Sequence, residues 1–172
     1  MTFVFDATPL IYLGKADRLD VLENLRRETL VPNPVYEEVV HRGLRKGYVD
    51  AKRVNQFVRD GALQQRSVEK PTRFERLTKE TKLSAADTAV LSLADEVDGT
   101  AIMDESYGRE IADTEGVKTR GTAYFLLLLA KRGDIDAGEA RGIIDVMVDS
   151  GWHCSTDLYA DILRKLEEIA PE

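Results

Sequence analysis

Apolar residues follow two alternating patterns along this chain. Short apolar runs, which favour buried strands, are separated by longer stretches in which apolar side chains return every three or four positions, as in amphipathic helices. The predicted strands are Thr2–Phe5, Thr29–Val31, Leu63–Val68, Thr100–Met103 and Val117–Thr119.

The helical stretches carry their own signals. Leu19, Leu22 and Leu25 recur at helical spacing. Pro34 occupies a favourable first helical position after Asn33. The predicted helices are Ala16–Arg27, Pro34 to about Gly43, a segment around Val54, Phe57 and Val58, a segment around Phe74 and Leu77, Ser84–Val97, Tyr107–Glu115, Thr122–Arg132, Ala137–Val148 and Thr156–Ile169.

The alternation of strands with helices determines the expected fold class. Each connection between parallel strands has to cross a face of the sheet, and right-handed crossovers then place helices on both faces. The sequence therefore predicts a three-layer α/β/α sandwich with a central parallel sheet of about five strands in the order 3-2-1-4-5. No internal repeat or low-complexity linker marks a boundary, so one compact unit is expected.

Size and composition limit the functions that this chain can have. Its 172 residues include no apolar run long enough to cross a bilayer, and its start does not resemble a signal peptide. A soluble cytoplasmic protein without a membrane partner is expected. One cysteine, Cys154, and two histidines cannot form a zinc site of the usual nitrogen and sulfur ligands, so any metal is expected on oxygen.

The net charge of −7 argues against a surface that coats nucleic acid, because such surfaces are normally basic. Residues 41–53 (HRGLRKGYVDAKR) nevertheless concentrate positive charge locally. Such a run is more often simply a solvated helix face. The sequence leaves open which of the two this segment is.

Acidic residues follow two of the predicted strands directly. Asp6 comes after TFVF, and Asp104 with Glu105 comes after TAIM. Those strands are the first and fourth, which flank the point where strand order reverses in the expected sheet. Ligands of open parallel sheets bind at the carboxyl ends of the strands at this point. The sequence therefore predicts a site around these acids.

Two further acids lie on helices that lead toward the same edge of the sheet. Asp87 is in the first turn of the helix that begins at Ser84, and Glu38 follows the second strand. Glu37 lies on the opposite flank of the same apolar stripe, and periodicity does not choose between the two glutamates. Carboxylate oxygens are the ligands that Mg²⁺ and Mn²⁺ prefer, so a cluster of these acids would suit such an ion.

Each acid also has a purely structural interpretation. Thr8 before Pro9 is typical of a helix N-cap, and Asp6 would then lie near a helix start, where its charge is favourable. Ser84-Ala-Ala-Asp87 has the form of a capping box. Asp104 and Glu105 would fit as a cap and first-turn residue of the next helix. Taken singly, these residues do not decide between a site and a set of caps.

Taken together, the motifs resemble the PIN-domain family. Asp6 is followed by Thr8 and LIYL, and the segment VPNPVYEEVV places the family's glutamate on Glu38. LSAADTAVLSLA supplies the third motif through Asp87. The resemblance covers about residues 2–133, and it implies a nuclease domain at 1–133 with a C-terminal helical extension at 134–172 packed on the same domain.

Two later motifs extend the resemblance. AIMDESYGREIA contains Asp104, Glu105 and Arg109, and RGTAYFLLLLAKRG looks like the helix led by Gly-Thr in a largely uncharacterised prokaryotic branch. The family usually has Asp-Asp where this chain has Asp104-Glu105. Asp104 is therefore the preferred site acid, with Glu105 left as the alternative.

The resemblance implies a metal-dependent endoribonuclease. Asp6, Asp87 and Asp104 would hold Mg²⁺ or Mn²⁺, and Glu38 would orient or deprotonate the attacking water. Thr8 and Arg109 would contact the RNA substrate. The resemblance also implies a homodimer and a cognate antitoxin protein, as in toxin–antitoxin pairs.

Three alternatives compete with this interpretation. A non-catalytic PIN-like module that binds RNA or protein would keep the same acids as caps. A receiver-type phosphotransfer domain would carry two adjacent acids near the first strand, and a haloacid-dehalogenase-like hydrolase would carry a second Asp two residues after the first. The sequence FDATPL has neither pattern, so both of these classes are disfavoured.

Overall fold

The computed structural model describes residues 1–69 and 73–170, so residues 171–172 of the predicted extension lie outside the described residues. The predicted fold class is confirmed. The described strands form one parallel sheet in the order β3-β2-β1-β4-β5. The strands are β1 (Phe3–Phe5), β2 (Thr29–Pro32), β3 (Gln64–Arg66), β4 (Thr100–Ile102) and β5 (Lys118–Arg120).

Helices connect the strands and cover both faces of the sheet. A π-helical segment, Glu37–Arg42, joins α2 to α3 as one continuous helix. The α-helices are α1 (Ala7–Lys15), α2 (Asn33–Tyr36), α3 (Gly43–Arg45), α4 (Val49–Arg59), α5 (Arg73–Glu80), α6 (Ala85–Glu96), α7 (Ser106–Glu115), α8 (Thr122–Arg132), α9 (Ala137–Asp149) and α10 (Thr156–Ile169).

The central strand β1 shows why the chain forms three layers. Phe3, Val4 and Phe5 are all fully buried, as expected for a parallel strand that is covered on both faces. Successive side chains of a strand point to opposite faces. Phe3 and Phe5 share one face and each packs edge-to-face on Phe125 of α8, with ring centroids 5.4 Å apart. Helix α6 contacts β1, β2 and β4 as well.

The first connection differs from its prediction. Residues 7–15 form helix α1, whose N-cap is Asp6 and not Thr8, the N-cap that the sequence suggested. The predicted helix Ala16–Arg27 is wrong. Instead, Leu19–Leu25 is a 3₁₀ helix. The physical reason is visible in the sequence, because Leu19, Leu22 and Leu25 repeat every third residue, which is the period of a 3₁₀ helix and not of an α-helix.

The C-terminal helices pack on the rest of the protein. Helix α9 contacts α1 and α8, and α10 contacts α8 and α9. The Tyr12 hydroxyl of α1 donates a hydrogen bond of 3.2 Å to the carbonyl oxygen of Gly151, just after α9. No helix within the described residues is long and apolar enough to cross a membrane.

Candidate active site

Asp6 lies at the carboxyl end of β1, where the chain turns into α1. Its backbone N–H donates a 3.0 Å hydrogen bond to the carbonyl oxygen of Ile102, the last residue of β4. Strands β1 and β4 are neighbours, and the chain leaves them toward opposite sides of the sheet. Asp6 therefore occupies the switch point of this fold, where ligands of open α/β sheets bind.

The environment of Asp6 disfavours its charge. Only 7% of the residue is exposed. Burial raises the pKa of its carboxyl from 3.8 to about 7, opposed by a hydrogen bond from the backbone N–H of Ala7 and reinforced by the negative charges of Asp87, Glu38 and Asp104. The structure thus brings these three acids close enough to Asp6 for their charges to act on it. A buried carboxyl with a raised pKa is typical of functional sites.

Asp87 belongs to the first turn of α6. Ser84 is the N-cap of this helix, and its hydroxyl oxygen accepts a 3.0 Å hydrogen bond from the Asp87 backbone N–H. Within the described residues, the carboxylate of Asp87 does not accept a hydrogen bond from the backbone N–H of Ser84. Only half of the capping box forms, so the carboxylate of Asp87 is not engaged in capping the backbone of α6.

The structure distinguishes the two glutamates of the π-helical segment, which periodicity could not. Glu37 lies on the exposed surface, where its carboxylate is 2.7 Å from Nδ1 of His41. Glu38 lines a groove together with Thr8 and contributes to the raised pKa of Asp6. A π turn changes which residues share a helix face, and such turns occur frequently at functional sites. The structure therefore favours Glu38 over Glu37 as a member of the cluster.

Asp104 follows β4 and accepts three hydrogen bonds. Its Oδ1 accepts from the backbone N–H of Thr122 (2.7 Å), and its Oδ2 accepts from the Thr122 hydroxyl (2.8 Å) and from the Trp152 indole N–H (3.0 Å). Thr122 is the first residue of α8, so Asp104 fixes the start of that helix.

Two of these partners were missed by sequence reasoning. The Gly-Thr pair that leads α8 could have pointed to Thr122, because a hydroxyl at a helix start is well placed to meet an acid at a neighbouring strand end. Trp152 lies 48 residues from Asp104 in the chain, and nothing in the sequence indicates the contact.

Glu105 is the N-cap of α7. One carboxylate oxygen accepts from the backbone N–H of Tyr107 at 3.0 Å and the other from that of Gly108 at 2.5 Å. The residue is exposed. For Glu105, the capping interpretation describes what its carboxylate does in this structure. Asp104 is the member of the pair whose charge acts on Asp6.

We expect Glu105→Ala to lower the free energy of unfolding by about 1 kcal/mol, because an N-cap side chain is removed and two backbone N–H groups at the start of α7 lose their acceptor. Urea denaturation measures this change. Glu105→Asp is the matched control, since aspartate is itself a favoured N-cap, and its unfolding free energy should stay within about 0.5 kcal/mol of the native value. Equal stability of the alanine variant and the native protein would contradict the capping role.

The two predicted substrate contacts, Thr8 and Arg109, lie at different cavities. Thr8 lines a groove of about 460 Å³ next to Glu38. Arg109 lines a separate cavity of about 650 Å³ beside β5. Its guanidinium is nevertheless near Asp104, because a Cβ placed on Gly121 would lie 3.1 Å from Asp104 Oδ1 and 3.6 Å from Arg109 Nη1. The absence of a side chain at Gly121 leaves room for this arrangement.

The predicted metal set is not assembled as a compact cage. Among residues 1–69 and 73–170, no group of three or more His, Cys, Asp or Glu side chains is close enough together to hold one ion. The charges of Asp87, Glu38 and Asp104 therefore act on Asp6, but the four carboxylates do not converge on one point. Their donor atoms are all oxygens, the type that Mg²⁺ and Mn²⁺ take.

Comparison with known proteins identifies the family of this chain. A family model described as "DUF3368: PIN domain" matches residues 2–168, almost the whole chain. No curated protein matches the chain significantly. The resemblance that the motifs predicted is confirmed, and this protein belongs to the PIN-domain family, whose members are generally nucleases.

Proposed function

We propose that this protein is a divalent-metal-dependent endoribonuclease that hydrolyses phosphodiester bonds of RNA. One observation carries the proposal: a buried aspartate, Asp6, lies at the switch point of the sheet with a pKa of about 7, and three other carboxylates act on its charge. Burying a carboxyl among like charges is costly. A cation that binds there would offset this cost.

The residues fit a hexacoordinate ion that takes only part of its ligands from the protein. Mg²⁺ keeps several waters and is usually held by one or two carboxylates together with the phosphates of the substrate. Three converging carboxylates are therefore not required. Asp6, Asp87 and Asp104 are the residues that would hold Mg²⁺ or Mn²⁺. When bound, such an ion lowers the pKa of water and stabilises the negative charge that develops on the phosphate.

The three other residues of the proposed site, Glu38, Thr8 and Arg109, act on the water and on the substrate. Glu38 is exposed in the groove, so its carboxylate is accessible to water. It accepts the proton of the water that attacks phosphorus. As the bond from phosphorus to the leaving oxygen breaks, that oxygen takes up a proton from solvent. The Thr8 hydroxyl donates to a phosphate oxygen beside Glu38. The Arg109 guanidinium, near Asp104, balances phosphate charge on the other side.

A non-catalytic PIN-like module that binds RNA or protein is the second candidate. The observation in its favour is that Asp104 already accepts three hydrogen bonds from the protein, which is what a structural carboxylate does. The two candidates differ in what a divalent ion should do. A catalytic cluster gains stability and activity from the ion, whereas a binding module gains neither.

We expect saturating Mn²⁺ to raise the Tm by roughly 5–10 °C, because an ion at 100 times its Kd stabilises the folded state by about 2.7 kcal/mol. Mn²⁺ should also support cleavage of single-stranded RNA, which EDTA should stop. Asp87→Asn should lose both effects. Asp149→Asn is the matched control, because Asp149 is an exposed aspartate at the end of α9 that lines neither of the two cavities, and it should keep both.

Two results would contradict the proposal. Cleavage that persists in EDTA would exclude metal dependence, and a protein that shows neither a Tm change nor cleavage with Mn²⁺ or Mg²⁺ would be the binding module. A single-stranded DNA of the same sequence, tested in parallel, reports whether the sugar matters.

The homodimer and the cognate antitoxin remain predictions that follow from the resemblance. Light scattering of the purified protein measures the first. Co-expression with the neighbouring reading frame and relief of growth inhibition measure the second.

A further inference from the structure

The groove that contains Thr8 and Glu38 continues away from the acid cluster. It runs between α1, the π-helical segment, α3 and the start of α4, and has a volume of about 460 Å³. Its lining includes two acids, Glu38 and the buried Asp50, together with basic and aromatic side chains. The residues that carry the argument are Tyr12, Lys15, Arg42, Lys46 and Tyr48.

Three cations line this groove in a protein whose net charge is −7. Lys15, Arg42 and Lys46 are exposed, and in the described part of the chain no carboxylate lies within 4.0 Å of their charged nitrogens. The neighbouring Arg53, by contrast, forms an ion pair with Asp17 at 3.3 Å. The charges of the three groove cations are therefore available to an anionic ligand.

Two aromatic rings are interleaved with these cations. Lys15 Nζ lies 5.0 Å from the ring centroid of Tyr12, and Lys46 Nζ lies 5.9 Å from that of Tyr48. Tyr48 is 50% exposed, and it precedes α4 as its N-cap residue. Tyr12 is half-buried. An exposed aromatic ring beside cations, as at Tyr48, is the arrangement that binds single-stranded nucleic acid, because bases stack on the ring while the cations attract phosphates.

The groove is also continuous with the proposed reaction site. Thr8 and Glu38 line it, and Glu38 acts on the charge of Asp6. A polynucleotide with one phosphate at the acid cluster has to continue along an adjacent surface. The acids repel it, whereas the basic and aromatic part of the groove attracts it.

We propose that Tyr12, Lys15, Arg42, Lys46 and Tyr48 form a binding site for the single-stranded RNA that flanks the cleaved phosphodiester bond. This inference rests on the proposed function and specifies how the substrate is held. The site recognises unpaired bases through their faces and the backbone through its charge. It therefore favours single strands over duplexes and tolerates many sequences.

The test measures binding and not cleavage. Fluorescence anisotropy of a labelled single-stranded RNA of about 12 nucleotides is followed in EDTA, so that the full chain binds without hydrolysing. We expect Tyr48→Ala to weaken binding by roughly 5-fold or more, which is the usual effect of removing one stacking ring. Tyr48→Phe keeps the ring and should bind like the native protein.

The charged residues have matched variants of their own. Lys46→Ala should weaken binding and lower the slope of log K against log salt by about one, whereas Lys46→Arg should restore most of the affinity. Arg132→Ala is the control outside the groove, since Arg132 is an exposed cation at the far end of α8, and it should leave binding unchanged.

The outcomes separate this inference from the proposed function. If native protein cleaves RNA but Tyr48→Ala and Lys46→Ala bind it as well as native, the groove assignment is wrong and the nuclease stands. If native protein cleaves nothing but binds RNA through these residues, the groove stands and the nuclease falls. Failure of the native chain to bind the RNA, or equal competition by polyglutamate, which would indicate a groove for acidic protein segments, overturns the groove assignment.

Discussion

Asp6→Asn should make the metal-free protein more stable at pH 8, by as much as roughly 4 kcal/mol. The native carboxyl has a pKa of about 7 in the folded protein against an ordinary value of 3.8 for aspartate, a difference that corresponds to a few kcal/mol of unfavourable interaction with the charged form. Asparagine has nearly the same shape and carries no charge. It therefore removes the cost of burying an ionised group beside Asp87, Glu38 and Asp104.

The pH dependence gives this prediction its sign. Between about pH 4 and pH 7 the unfolded state has lost the Asp6 proton and the folded state has kept it, so the free energy of unfolding falls as pH rises. Above pH 7 the loss is complete. The difference between Asp6→Asn and native protein should thus grow across this window and then level off, as measured by urea denaturation in EDTA.

The same substitution should abolish activity. Loss of a residue that only orients a metal ligand typically costs 10- to 100-fold, so loss of the carboxylate at the centre of the cluster should lower kcat/KM for RNA by more than about 100-fold. Asp149→Asn, at an exposed position at the end of α9, should change neither stability nor activity. Native-like cleavage by Asp6→Asn would remove Asp6 from the reaction site, and equal stability at pH 8 would show that its burial carries no electrostatic cost.

The position of Asp6 could be predicted from the sequence because it follows from topology. Buried apolar runs such as Phe3–Phe5, separated by helical stretches, lead to a parallel sheet almost by necessity. The carboxyl ends of parallel strands share one edge, so acids that follow the first and fourth strands have to lie near each other. The proximity of Asp6 and Asp104 could be predicted from strand order alone.

The type and orientation of two helical segments could not be predicted from the spacing of their apolar residues. The leucines at 19, 22 and 25 satisfy a helical pattern, but their three-residue spacing forms a 3₁₀ helix. The choice between Glu37 and Glu38 depended on which flank of their helix packs toward Asp6, and the apolar stripe between them does not determine this. That helix is also π-helical over Glu37–Arg42. Local periodicity assumes an ideal helix, and both segments depart from it.

Contacts between distant parts of the chain were beyond sequence reasoning. Glu105 and Asp104 are adjacent and chemically similar, yet one caps α7 and the other accepts hydrogen bonds from α8 and Trp152. The difference arises from where β4 ends relative to α8, which only the packed structure determines. Trp152 belongs to the C-terminal segment that the motifs did not cover.

Asp104→Ala should destabilise the protein by about 3–5 kcal/mol. The substitution removes the acceptor of three hydrogen bonds, two from Thr122 and one from Trp152. Thr122 is fully buried and Trp152 is 5% exposed, so water replaces the lost acceptor poorly. A buried donor without a partner costs about 1–3 kcal/mol, and the effects of neighbouring donors add only in part.

Graded variants separate the contribution of each contact. Asp104→Asn keeps one acceptor oxygen and should lose less than Asp104→Ala. Trp152→Phe removes the indole N–H and keeps an aromatic ring, with an expected cost of about 1–3 kcal/mol for a hydrogen bond to a charged group. In a double-mutant cycle, Trp152→Phe should cost measurably less in the Asp104→Ala background than in native protein. Equal costs in both backgrounds would show that the indole does not stabilise the protein through Asp104.

Two acids of one site should therefore change stability in opposite directions under the same conditions. At pH 8 in EDTA, Asp6→Asn should raise the free energy of unfolding because its carboxylate is buried among like charges, whereas Asp104→Ala should lower it because its carboxylate satisfies three donors. A cluster kept only for capping would lose stability at both positions. Opposite signs measured in one urea series would identify Asp6 as the residue whose charge the fold tolerates for the sake of a bound cation, and Asp104 as the residue that holds the site in place.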